Sequence, residues 1–345
     1  MRLKPFYFRS SLDLRESLET AQALRAIVSG QPTTFDFSQI RFVGPFGMVY
    51  LSTCIEDTVK RLGPGNAFAK GHKNQNYLVH MGFFRAFGLA HGNLPGQATC
   101  NSRYVPITDL DALEIRKESA QSGIPIGALL EEKAQQIAAV LSQQVGGDFH
   151  DTLAFAIREI LRNAVGHSHS LVVRYCAQYW PSLNRVEVAI LDHGRGIQSS
   201  LSQNPYIESS SDREAINHSL MPGVSGTAFK GSKINRKDIW GNSGYGLCVT
   251  SRICRLGGDF FIGSHSSSLR LSSSPQKKEK EYLPFGFDGT ALRLTIRPSE
   301  AANLQSRLKQ FSLEGAKAAA QIRGTVLKAS TTSQMLTSDF EKGIN

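Results

Sequence analysis

Glu159 and Asn163 stand four residues apart in REILRNAVGHS, a segment whose apolar residues recur at helical spacing. On a helix both side chains share one face, with His167 one further turn along. The Asn163 amide can offer its carbonyl oxygen to Mg²⁺, a hard cation that takes oxygen ligands. The Glu159 carboxylate can take a proton from a water aimed at a phosphate. The same pair also suits a solvated helix face, so it decides nothing alone. In AILDHGRGI an apolar strand delivers Asp192 into a turn holding Gly194 and Gly196. A carboxylate there can accept a hydrogen bond from an exocyclic amine such as that of adenine, and the glycines let a ligand approach the backbone. An ordinary Asx turn would use the same residues. GNSGYGL places Gly241, Gly244 and Gly246 ahead of Leu247 and a helical VTSRICRLGG. A glycine turn opening a helix presents unpaired amides and the positive end of the helix dipole to phosphate. No Gly-Lys-Ser/Thr follows and the Gly-x-Gly-x-x-Gly order is missing, so this is neither a P-loop nor a dinucleotide fingerprint. In GTALRLTI, Gly289-Thr290 opens a strand, and the Thr290 hydroxyl can bond a base or its water.

These residues need a scaffold of strands and helices. A helix from Ala128 to about Val145 precedes Gly146-Gly147, and a second from about His150 to His167 carries the first motif. Strands follow at LVVRYCAQYW, RVEVAILD, DFFIGSH and TALRLTIR, implying helices on a mixed or antiparallel sheet. Two polar segments interrupt them, residues 197–240 and 264–288, the lengths of lids, binding elements or insertions. Before residue 110, Leu12–Ser29 and Met48–Leu62 have helical spacing, FDFSQIRFV reads as a strand, GPFG as a turn, and 76–89 as a short helix. A small α/β sandwich is expected there. Residues 104–126 read as a strand and linker. After Pro298 a helical tail passes into polar STTSQMLTSDFEKGIN, expected to be mobile.

At 345 residues, 41% hydrophobic and 20% charged, the chain is long enough for two domains and rich enough for a packed core. No apolar run has the length of a membrane span, and the start has no secretory h-region. The five cysteines form no CxxC pair, which argues for a reducing, cytoplasmic setting and against a disulfide framework or structural zinc. The net charge of +10 divides as +5 over residues 1–110, +3 over 301–345 and +2 between. So even a spread is a weak sign of nucleic-acid contact and fits a solvated basic surface.

Taken in order, the four motifs resemble the N, G1, G2 and terminal Gly-Thr boxes of the GHKL superfamily. It includes DNA gyrase B subunits, mismatch-repair ATPases, heat-shock chaperones, histidine kinases and anti-sigma-factor kinases. The resemblance covers residues 128–298 and implies a Bergerat-fold ATP-binding domain with a long lid. MPGVSG at 221–226 is similar to lid segments of that group. By matching position it implies Glu159 as the activating carboxylate, Asn163 as the Mg²⁺ ligand and Asp192 as the adenine contact. Gly194 and Gly196 would shape the pocket, Gly241, Gly244, Gly246 and Leu247 would meet the phosphates, and Thr290 would lie near the adenine. Lys230, Lys233, Arg236 and Lys237 are lid cations that could reach the γ-phosphate. His193 departs from the usual Asn or Asp of the G1 box, and the lid is unusually long.

The first 110 residues bear a fainter likeness, since FDFSQIRFVGPFGMVYL resembles the strand, turn and helix of STAS domains. Their turn carries a phosphorylated serine, whereas Gly44-Pro45-Phe46-Gly47 has no hydroxyl and cannot accept phosphate. The expected plan is therefore an α/β (α+β) chain. It has a STAS-like regulatory domain (1–110), a linker (111–127), a GHKL ATP-binding domain (128–298) and a tail (299–345). The expected function is a regulatory protein that binds Mg-ATP and hydrolyses it to switch contacts with a protein partner, a dimer being left open. The alternatives are a serine/threonine kinase of anti-sigma type and a non-hydrolysing ATP-dependent interaction module. No histidine has a phosphoacceptor context, and too little chain follows Pro298 for a domain supplying a catalytic lysine, so sensor kinases and DNA-topology ATPases are disfavoured.

Overall fold

The computed structural model describes residues 3–99, 103–232, 244–273, 278–300 and 304–325. In chain order the strands and helices begin with β1 (Lys4–Tyr7), β2 (Ser11–Leu12), α1 (Leu14–Arg25), β3 (Thr33–Asp36), β4 (Phe42–Val43) and α2 (Pro45–Leu62). There follow β5 (Ala67–Lys70), α3 (Asn76–His80), α4 (Phe83–Ala86), β6 (Tyr104–Asp111), α5 (Ala112–Ser122), α6 (Ile126–Ser142) and α7 (Asp148–His167). The remainder is β7 (Val172–Trp180), β8 (Arg185–Asp192), α8 (Gly196–Leu201), α9 (Asp212–Ser219) and α10 (Gly246–Cys254), then β9 (Asp259–His265), β10 (Ser267–Ser272), β11 (Lys280–Tyr282), β12 (Phe287–Ile296) and α11 (Leu304–Ala319).

Seven strands form one antiparallel sheet in the order β11-β10-β9-β12-β8-β7-β6, and β1, β3 and β5 form a small parallel sheet. The large sheet is buried on both faces. Along β8, Val186, Val188 and Ile190 pack toward α6, α7 and α10, whereas Ala189 and Leu191 pack toward the first hundred residues. Strand residues alternate between faces, so a strand covered on both sides is apolar at consecutive positions, as Val188–Leu191 are in RVEVAILD. Helix α2 packs on β7, β8 and β12 of the large sheet and against α1 and α4, and is buried along most of its length, which explains why its sequence is less amphipathic than that of a surface helix.

Several local expectations shift. GPFG is the first turn of α2, because Pro45 at the first helical position fixes φ where a helix starts. FDFSQIRFV is broken into β3 and β4, since the Asp36 carboxylate accepts hydrogen bonds from the Ser38 amide and hydroxyl and turns the chain. Strand β6 joins the large sheet beside β7, so the chain enters it before residue 111. The stretch expected as linker is α5 and the start of α6, Asp111 capping α5 by accepting from the Leu113 and Glu114 amides. Residues 264–288 include β10 and β11, which extend the sheet. The tail's helix α11 packs on α10, where Glu314 meets Arg252 at 2.8 Å; the polar end expected to be mobile lies outside the described residues. Among the described residues no helix is long and apolar enough to cross a membrane, and four cysteines are free and buried.

Candidate functional site

On the helix side of the sheet a cleft of about 780 Å³, counted out to its open mouth, lies between α7, the ends of β8 and β12, the start of α10 and residues 196–226. Of the residues singled out from sequence, Asn163, Asp192, Gly196, Gly244, Gly246, Leu247 and Thr290 line it. They come from four segments far apart in the chain. Gly194 lies just behind, where its amide donates to Asp192 Oδ1 at 2.8 Å. Gly241, with Lys233, Arg236 and Lys237, lies outside the described residues. His193 is exposed and packs its ring on Phe287.

The closed end is set by strand register. Thr290 of β12 pairs directly with Asp192 of β8, and directly opposed residues of an antiparallel pair point to the same face. That face is the one Leu292 and Ile190 share with the helices, so both polar side chains open onto an apolar floor that includes Ile262 and Leu292. Asp192 is 3% exposed. Burial pushes its carboxyl up to about 7, against the opposing pull of the Gly194 amide, the Ser168 hydroxyl and His265.

At the other end α10 begins. Gly244 has φ +74°, a left-handed conformation that glycine adopts without strain, and its carbonyl accepts the Gly223 amide. The turn from 223 to 226 is thereby held against the helix start, and Ser225 is fixed there by accepting the Thr227 and Ala228 amides. Helix α10 has no side-chain cap, and its first turn borders the cleft, where Gly246 and Leu247 line it.

Glu159 is placed differently. It is fully buried and does not line the cleft. Arg162 Nη2 lies 2.6 Å from one carboxylate oxygen and Arg158 Nη2 3.0 Å from the other, while Arg158 Nη1 reaches Glu131 at 2.7 Å. The carboxylate sits under Gly246, where a Cβ would overlap Glu159 Oε2. Two arginines hold the carboxylate, so it cannot swing away. Gly246→Ala is therefore expected to lose about 1–3 kcal/mol of stability, read as a lowered urea midpoint; an unchanged midpoint would show that the carboxylate yields freely.

Sequence reasoning missed the arginine grip on Glu159, although Arg162 at i+3 is a legible ion-pair signal. It also missed Ser168, Ser219 and the apolar floor, which depend on sheet register. Among the described residues no three His, Cys, Asp or Glu side chains cluster to hold a metal. Asn163 remains as the oxygen donor facing the cleft, and its amide makes no hydrogen bond to another described residue. Comparison with protein-family models, with curated proteins and with solved structures finds no match to this chain.

Proposed function

We propose that this chain is a GHKL-type regulatory protein that binds Mg-ATP in the cleft, on a Bergerat-fold domain following a STAS-like first domain, to switch contacts with a protein partner. The observation that carries the proposal is convergence: a buried acceptor paired with a hydroxyl at the closed end, an oxygen donor on α7, and an amide-lined glycine turn at the mouth. Asp192 would accept the adenine amine, Ile262 and Leu292 would pack on the base, and the α10 amides would receive phosphate. Mg²⁺ commonly relies on substrate phosphates and water with few protein ligands, so Asn163 is a sufficient protein contact. The ion would supply charge neutralisation on the triphosphate. Buried free cysteines fit a reducing, cytoplasmic setting.

The grip of Arg158 and Arg162 on Glu159 favours a second reading, in which nucleotide is bound but turned over slowly or not at all. A carboxylate doubly paired and out of the cleft is poorly placed to take a proton from water. Calorimetry with Mg-ATP on the full chain, with phosphate release followed in parallel, separates the two. In the hydrolytic reading Glu159→Gln keeps binding and loses turnover about a hundredfold or more. In the binding-only reading the parent protein releases no phosphate above the rate of the variant. A parent protein that binds no nucleotide overturns both, and label transferred from ATP to protein would identify a kinase instead.

A further inference from the structure

A second cavity, independent of the nucleotide reading and sharing no lining residue with the first cleft, lies on the opposite face of the sheet. It encloses about 1160 Å³ of space, counted to its mouth, between the start of α1, the Gly257-Gly258 turn and the far ends of β8 and β12. Five arginines and three carboxylates line it. We propose that it is a binding site for a phosphate-bearing anion.

Unused hydrogen-bonding capacity on buried cations carries the proposal. Arg185 stacks on Trp180, its guanidinium carbon 4.4 Å from the ring centre, and this contact holds the fork in place. Its two ionic neighbours, Asp13 and Glu187, stand 3.8 Å away, beyond hydrogen-bond reach. Among the described residues the Arg185 side chain thus makes no hydrogen bond, and its Nε is buried without a partner. Arg293 is 4% exposed and commits Nη2 alone, to Asp13 and Glu187 at 2.8 Å each, leaving its own Nε unpartnered. Arg270 is better matched, donating from Nη2 to Asp259 at 3.0 Å and from Nη1 to Glu281 at 3.5 Å. Donors are almost always satisfied when drawn into a fold, so Arg185, with neither Nη nitrogen hydrogen-bonded, and Arg293, with Nη2 alone committed, call for an acceptor in the space they line.

The acceptor's charge follows from the lining. Cations exceed anions there, and the first turn of α1 adds the positive end of a twelve-residue helix. Arg297 is exposed at the rim, where it would draw an anion in, beside Arg15, which pairs with Glu281 at 2.7 Å. Guanidinium forks match phosphate oxygens in pairs, and the volume is ample for a diphosphate group. Such a ligand would touch the first hundred residues and the large sheet at once, and so would tie them together.

Inorganic pyrophosphate is the probe, titrated into the full chain by calorimetry at constant ionic strength, with sulfate as the control anion, and followed in Trp240→Phe by the fluorescence of the remaining Trp180. The parent is expected to bind pyrophosphate more tightly than sulfate. Arg185→Gln, which removes no hydrogen bond from the fold, is expected to weaken binding about tenfold or more, and exposed Arg297→Gln by a smaller factor. Asp192→Ala, in the other cleft, is expected to leave pyrophosphate binding unchanged. The proposal is overturned if the parent does not bind, if Arg185→Gln binds as the parent does, or if Asp192→Ala is the variant that loses binding.

Discussion

Replacing Asp192 by alanine is expected to cost Mg-ATP affinity at least about a hundredfold, roughly 3 kcal/mol, while the protein stays folded. In the proposed site this carboxylate is the one buried acceptor positioned for the adenine amine, and losing it leaves that amine desolvated without a partner. The effect carries a pH signature. The Asp192 carboxyl is raised by burial from the ordinary 3.8 to about 7, so near neutrality part of the free protein holds it as the neutral acid. Only the ionised form offers both oxygens as acceptors, so affinity for ATP should rise between pH 6 and pH 8. In Asp192→Asn that rise should vanish.

The stability of the nucleotide-free protein should run the other way. A carboxyl whose folded-state pKa lies above its unfolded value binds its proton more tightly in the folded chain. Its contribution is complete below about 4 and is lost as the pH climbs through about 7. Over that window the parent should lose on the order of 3 kcal/mol relative to Asp192→Asn, read as the difference between urea unfolding curves at pH 5 and pH 8. Parallel curves for the two proteins would show that Asp192 is not desolvated as described.

The second large effect is structural. Glu187→Ala is expected to destabilise the protein by about 3–5 kcal/mol. Glu187 is fully buried on the face of β8 opposite Asp192. It accepts the Phe46 amide at 3.1 Å, where Gly44 gives α2 no side-chain cap. It also accepts from Arg293 at 2.8 Å. Alanine would strand a buried guanidinium whose remaining carboxylate partner is Asp13, and would uncap the helix that packs on the large sheet. Glu187→Gln keeps an acceptor for the Phe46 amide and should lose less. Chemical denaturation measures both, and a loss below about 1 kcal/mol for the alanine variant would mean that the network holds little of the interface.

Much of this architecture is legible in the chain. The helices carrying Leu129–Leu141 and Leu153–Ala164 follow from 3.6-residue periodicity, and β7, β8, β9 and β12 follow from apolar runs bounded by turn residues. Residues Asn163, Asp192, Gly244, Gly246 and Thr290 stand out because their types and order suit one kind of chemistry, and local sequence determines that they fall at element ends. Long-range pairing was not legible. Polar residues of β10 and β11 read as loop because their strands are stabilised by neighbours distant in sequence, and propensity is blind to those. The GPFG segment read as a turn because glycine and proline mark turns and helix starts alike, and only the packing of α2 on the large sheet decides between them.

By itself, then, the sequence determined the strongly periodic helices and apolar strands and the residue types offered for the proposed chemistry, since periodicity and residue type are local properties. Only the tertiary structure decided which of those side chains meet. The register of β12 on β8 sets Thr290 beside Asp192 and turns Glu187 and Arg293 to the opposite face. A shift of a single residue would exchange those faces, and packing on both sides of the sheet selects between the two registers. Burial likewise drew Glu159 out of the cleft and into the grip of two arginines, because a charge removed from water takes the nearest ion pairs the fold supplies.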